Sequence, residues 1–178
     1  MNEYNAARFF QNFDDIMKSL KIPYMLFFGT ALGAYRDNEF IKIDKDMDFA
    51  ILDEHFKWKK IDEALKNKGF RTEIIDHRHK AKWDGSVFAV KAYKYNEKAD
   101  IISLIKQGEN RISVGHINKT TFIESCDILE NPIEKTFYGR IVKLPPEKYY
   151  KRTYGKNWNV PDLKYTHTEG RGGNIIKK

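Results

Sequence analysis

Three aspartates, Asp44, Asp46 and Asp48, recur at every second position, and the apolar residues Met47, Phe49 and Ile51 fill alternate places beside them. In an extended strand, residues two apart share one face and their neighbours occupy the other. The pattern predicts a strand that anchors in a core through one side and lines up carboxylates on the other. Like charges crowded on one face repel each other and cost stability. Divalent cations would neutralise them, so the stretch favours a fold that offers an acidic strand to metal.

The residues just upstream fit the same purpose. Tyr24 to Phe28 reads as a short buried strand that stops at Gly29-Thr30, with Thr30 as N-cap of a helix over about 31–37. Free backbone N–H groups at a helix start attract anions, so Gly29 and Thr30 form a candidate phosphate site. A further acid, Asp100, stands near the start of an apolar strand, Ala99 to Ile105. Asp46, Asp48 and Asp100 are therefore the candidate metal cluster. Phosphoryl and nucleotidyl transfer need in-line attack on phosphorus, which two cations about 3.5–4 Å apart support by holding the entering and leaving oxygens. Magnesium suits carboxylates and substrate phosphates, with manganese as the alternative. An EF-hand is disfavoured, because Phe49 stands where its glycine is required.

The rest of the chain reads as one domain over 1–160, followed by a polar, basic tail over 161–178. Apolar residues at spacings of three and four predict an amphipathic helix over 3–20, ended by Pro23. Helices are expected over 55–67 and 146–153, and strands over 70–75, 86–95 and 99–105. Residues 111–117 suggest another strand, 122–129 is ambiguous, and 135–144 suggests a hairpin through Tyr138-Gly139. A single cysteine, Cys126, excludes an intrachain disulfide and a multi-cysteine zinc site. No apolar run approaches the roughly 20 residues of a membrane span. The expected setting is cytoplasmic, with peripheral contact at a membrane allowed by the charge. That net charge of +7 favours anionic partners.

Taken in order, Gly29-Thr-Ala-Leu-Gly-Ala-Tyr-Arg36, Phe40-Ile41 and Asp44-Lys-Asp-Met-Asp48 resemble the signature of the LicD/fukutin family of phosphotransferases. The run from Lys143 to Gly155, followed by Trp158, looks like that family's closing segment. The resemblance implies an α/β (α+β) nucleotidyltransferase-like fold: a small mixed sheet, helices on one face, and the acids at the sheet edge before a basic cleft. It also implies transfer of a phosphorylated alcohol, such as phosphocholine or a polyol phosphate, from a CDP-linked donor to a glycan or lipid-linked glycan hydroxyl. Asp46 and Asp48 would bind magnesium, with Asp44 in support. Asp100 would ligate metal or take the hydroxyl proton. Gly29, Thr30 and Arg36 would hold donor phosphate. Two departures bear on donor choice: Ile43 replaces the family's tryptophan before the first acid, and Lys45 separates acids that are often contiguous.

Blander readings stand beside these. His77 and His79 flank Arg78 and fit a solvated basic loop better than a metal site. Cys126 reads as a packed thiol, and Tyr149, Tyr150, Tyr154 and Trp158 as helix packing rather than a base-stacking platform. Arg36 is balanced between phosphate binding and a structural ion pair. Two other functions compete: transfer of a nucleotide from a nucleoside triphosphate, and a non-catalytic module that binds polyanions. The acids would repel a polyanion at the centre of the site, so no stable nucleic-acid complex is expected.

Overall fold

The computed structural model describes residues 1–76, 87–114, 120–162 and 175–177. The first helix, α1 (Glu3–Leu20), is capped by Asn2, whose side chain accepts the N–H of Asn5. It ends at Lys21 in a left-handed conformation, two residues before the proline expected to stop it. There follow β1 (Met25–Leu26), α2 (Phe28–Arg36), β2 (Met47–Leu52), a 3-10 turn (Asp53–His55) and α3 (Trp58–Asn67). Strands β3 (Arg71–Asp76), β4 (Val87–Lys94), β5 (Glu97–Gln107), β6 (Asn110–Val114) and β7 (Thr120–Ser125) come next. The chain closes with α4 (Cys126–Leu129), β8 (Ile133–Phe137), β9 (Arg140–Leu144), α5 (Glu147–Tyr154) and β10 (Ile175–Lys177).

The strands form one mixed sheet in the order β10-β7-β6-β5-β2-β1-β9-β8, with β4 also pairing β5 and carrying β3 outward. The β2–β5 and β1–β9 pairs are parallel, and the remaining pairs are antiparallel. Strand β5 is long enough to be shared. Its residues 97–102 pair with β4, and 105–107 pair with β6.

Helices α1 and α3 pack on the sheet face that carries the apolar alternates of β2. Phe49 stacks on Phe13 with centroids 4.1 Å apart, and Phe9 meets Phe70 edge-on at 5.0 Å. Ile61 and Leu65 of α3 are fully buried, and Thr72 of β3 donates to Asp62 on that helix. The opposite face of β2 and β5 is thereby left to the acids. Among the described residues no helix is long and apolar enough to cross a membrane.

Several expectations need correction. The acidic strand begins only at Met47, so Asp44 and Asp46 lie in the extended segment leading into β2. That strand is central, with β1 on one side and β5 on the other, so the acids sit at strand starts inside the sheet and not at its edge. Residues 53–55 form a separate 3-10 turn before α3, and the ambiguous 122–129 divides between β7 and the single turn of α4. Strand β10 pairs with β7, with Ile175 opposite Phe122. His77 and His79 lie outside the described residues. The hairpin through Tyr138-Gly139 forms as expected, with both residues at positive φ (44° and 75°), as a two-residue hairpin loop demands.

One packing feature has no counterpart in the sequence reading. Arg111 of β6 is only 1% exposed. Its guanidinium donates to Asp53 at 2.7 Å, to Glu54 at 2.8 and 2.9 Å, and to Glu130 at 2.7 and 2.9 Å. It thus ties the turn after β2 to β6 and α4. The acids keep their outer oxygens near water, which lowers the penalty for burying the cation. Arg111→Ala should destabilise the fold by about 2 kcal/mol, read as a lower urea midpoint at unchanged slope.

Candidate active site

The site is built on the parallel pairing of β2 with β5, which sets Asp48 directly beside Asp100. Met47 and Phe49, on either side of Asp48, are fully buried and hold the strand in place. Asp46 lies just before the strand, where Lys98 of β5 meets its Oδ2 at 2.9 Å. Lys91, opposite Asp100 on β4, stands 3.5 Å from Asp100 Oδ1. That is an ion-pair separation beyond good hydrogen-bond reach. This oxygen is buried and accepts no hydrogen bond among the described residues.

The carboxylates burden one another. Burial, then the charges of Asp46, Asp44 and Asp100, push Asp48 well above the ordinary carboxylate range. Burial and the neighbouring Asp46 raise Asp44 to about 6. Asp100 is also raised, chiefly by burial, with Lys91 opposing the shift. Lys98 holds its proton more tightly than usual because it is hydrogen-bonded to Asp46. Lys98 and Lys91 oppose this charge at Asp46 and Asp100, and the N-terminal ammonium, which donates to the Asp44 carbonyl at 3.1 Å, opposes it at Asp44.

The segment around Gly29 closes one side of this cluster, though by a different device from a simple cap. Helix α2 starts at Phe28, so Gly29 and Thr30 belong to its first turn, and Thr30 is not the N-cap. Buried Thr30 accepts the backbone N–H of Asp48 through its Oγ1 at 2.9 Å, locking helix and acidic strand together. Thr30→Val should lower stability by about 1 kcal/mol by leaving that N–H without its acceptor, measurable by chemical denaturation.

A Cβ at Gly29 would collide with the Asp44 carboxylate, so a larger residue there would force that carboxylate to swing aside. Phe28 adopts φ +39°, an uncommon left-handed conformation, and its N–H donates to the Tyr149 hydroxyl at 3.3 Å. Tyr149 is fully buried and lies close enough to Asp48 to feel its charge. It is packed against Phe27 and Phe122, as the packing reading expects, and its hydroxyl also reaches the start of α2. Arg36, by contrast, is taken by Asp37, to which its Nε and Nη2 donate at 2.6–2.9 Å.

The structure therefore brings together Asp44, Asp46, Asp48, Asp100 and Gly29, with Thr30 in a bracing role. It adds Lys91, Lys98 and Tyr149, which the sequence reading missed. Lys98 was within reach of sequence reasoning, being two residues before Asp100 on one strand and so on the same face. Lys91 and Tyr149 depend on pairing and docking that no local pattern reveals.

Among the described residues no three His, Cys, Asp or Glu side chains are already drawn tightly enough to hold a metal ion. Asp46 is turned toward Lys98 and Asp100 toward Lys91. The donor set nonetheless suits a hard divalent cation: all-oxygen ligands, mutual repulsion and a buried carboxylate oxygen without a hydrogen bond. Binding would require the two lysines to yield. On these grounds the residues fit magnesium.

A family model described as LicD/FKTN/FKRP, nucleotidyltransferase domain, matches residues 21–147. No curated protein matches the chain by sequence. Among solved structures, the antibiotic-resistance factor ANT(2'')-Ia in solution superposes with a TM-score of 0.57 at 14% identity, covering 95% of this chain and 82% of that one. Its crystal structure with adenylyl-2''-tobramycin gives 0.52 at 13% identity, covering 92% and 83%. A Thermotoga maritima protein assigned as a nucleotidyltransferase gives 0.56 at 10% identity, covering 86% and 85%. At these identities the likeness establishes a shared nucleotidyltransferase fold.

Proposed function

This chain belongs to the LicD/FKTN/FKRP nucleotidyltransferase-domain family and is a transferase, and from that premise we propose that it moves a phosphorylated alcohol from a CDP-linked donor to a glycan hydroxyl. The observation that carries the reading is the Asp48–Asp100 pair, set side by side on parallel strands with Asp46 and Asp44 adjoining. Repelling carboxylates in this arrangement serve a substrate whose phosphates arrive with cations.

Asp46, Asp48 and Asp100 would hold magnesium, with Asp44 in support. Bound there, the ion would neutralise charge on the donor's phosphates. The chain's own residues do the rest. Gly29 admits the Asp44 carboxylate against the first turn of α2, whose backbone N–H groups favour a phosphate. Thr30 fixes the height of Asp48 relative to that helix. The acceptor hydroxyl oxygen attacks the phosphorus bearing the alcohol. The bond from that phosphorus to the bridging oxygen breaks, and CMP leaves with the oxygen. Asp100 would take the hydroxyl proton through a carboxylate oxygen that the ion leaves free. Arg36 is held by Asp37 and would reach donor phosphate only by exchanging that partner.

The test is product analysis with magnesium, a glycan acceptor and, in turn, CDP-ribitol, CDP-glycerol, CDP-choline, CTP and ATP. We expect metal-dependent release of CMP from one CDP-alcohol. Pyrophosphate released from a triphosphate would replace this reading with nucleotidyl transfer. If no nucleotide turns over or stabilises the protein against heat, the proposed donor class is wrong. Ligand-linked stabilisation should reach about 2.7 kcal/mol at a hundredfold excess over Kd.

A further inference from the structure

The acid-bearing face of the sheet continues sideways beyond the carboxylates, and strand register fixes what it presents. One cross-strand row runs Asp48, Asp100, Lys91, Glu73 from β2 through β5 and β4 to β3. The neighbouring row runs Lys98, Tyr93, Arg71, with Asp46 at its near end through its bond to Lys98. The third row, Ala50, Ile102, Ala89 and Ile75, is apolar and buried. Lys91 and Lys98 thus lie on the side of the acids away from α2, which packs against β1 and β2.

We propose that this face of β3, β4 and β5 seats the acceptor, and that Lys91 and Lys98 select an acceptor carrying an anionic group, phosphate or carboxylate, near its reacting hydroxyl. The inference rests on the transfer reading above and adds to it the acceptor's place and charge. Three arguments support it. The first is direction. Donor phosphate at the start of α2 approaches the acids from the β1–β2 side. In-line displacement brings the entering oxygen from the side opposite the leaving group, which here is the β5–β4 side.

The second argument is charge. Each lysine now has one carboxylate, Asp46 for Lys98 and Asp100 for Lys91. Once those acids are neutralised otherwise, both ammonium groups lose their counter-ions. The Lys91 side chain is only 22% exposed. An unpaired cation so placed is unfavourable, and an anion between the two lysines restores balance.

The third argument is shape. Arg71 lies over the Tyr93 ring at 3.7 Å, and the Tyr93 hydroxyl donates to Glu73 at 3.1 Å. This pair forms a flat, polar-edged rim of a kind that suits a sugar ring. The apolar third row offers nothing to a charged group, so the anion is confined to the lysine rows. The anionic group changes no bond in the reaction; it positions the hydroxyl.

Isothermal titration of the full chain, in magnesium with and without CDP, tests this with glucose 6-phosphate, glucuronate and glucose. The anionic sugars should bind at least tenfold more tightly than glucose. Their relative affinities separate phosphate from carboxylate as the preferred group. Lys91→Met and Lys98→Met should each weaken the anionic sugars about tenfold without weakening CDP in magnesium, since each lysine competes with the ion for its carboxylate. Arg71→Ala, at an exposed position, should also weaken them and guards against misfolding of a lysine variant. Equal binding of glucose, or unchanged anionic affinity in all three variants, would overturn the proposal. So would loss of CDP binding in the lysine variants, which would assign them to the donor. If CDP binds but no anionic sugar does, this inference alone fails. If CDP itself fails to bind, the transfer reading fails and takes this one with it.

Discussion

Asp48→Asn should lower turnover about 1,000-fold and, in buffer free of divalent cations, raise the melting temperature. The two effects share one cause. Asp48 is half-buried among Asp44, Asp46 and Asp100, and its charged form is strongly disfavoured in the folded state. Asparagine keeps the shape and removes the repulsion, so the metal-free fold gains. It also removes the oxygen donor proposed to hold magnesium and leaves backbone contacts intact, including the Asp48 N–H to Thr30. A variant more stable and nearly inactive is the signature of a residue kept for chemistry at a cost in stability. Steady-state assay and a metal-free thermal melt check both halves. A lower melting temperature with chelator present would show that the carboxylate stabilises the fold after all.

Acidification supplies the second large effect. Asp44 titrates at about 6 in the fold against an ordinary 3.8. Between those values the folded state holds a proton that the unfolded state has released, so stability falls as pH rises. The favourable contribution of neutral Asp44 is complete below the unfolded value and lost as pH climbs through about 6. By pH 7 the loss is about 3 kcal/mol. Compared with Asp44→Asn, metal-free wild type should therefore lose stability between pH 4 and 7, and the difference should be level above 7. Magnesium should reverse the trend, since it competes with the proton and binds more weakly below pH 6. Urea denaturation of both proteins across this range, with and without magnesium, reads out the slope and its reversal.

Much of the architecture is local enough to be read from the chain. Alternation around Asp48 announces a half-buried strand, Tyr138-Gly139 a hairpin, and Gly155, at φ 87°, the end of α5. What the chain does not display is whatever depends on partners distant in sequence. Arg111 looks like any strand arginine until the 53–55 turn and α4 surround it. Lys91 becomes a neighbour of Asp100 only through antiparallel register. Thr30 fits the preferences of a helix N-cap, but the helix begins two residues earlier and its hydroxyl serves the strand instead. In each case tertiary pairing decides among roles that local propensity leaves equal.

The parallel pairing of β2 with β5 has a kinetic consequence. Asp48 and Asp100 face each other across 52 positions of chain (100 − 48), and β3, β4 and α3 lie between them in sequence. Contacts of such long separation require closing a large loop before they return any free energy, and they form slowly. Helices α1 and α3 can gain structure without them. Completion of the acid set therefore waits on that long-range pairing. The carboxylate pair is thus a product of tertiary assembly, set by the docking of one long strand.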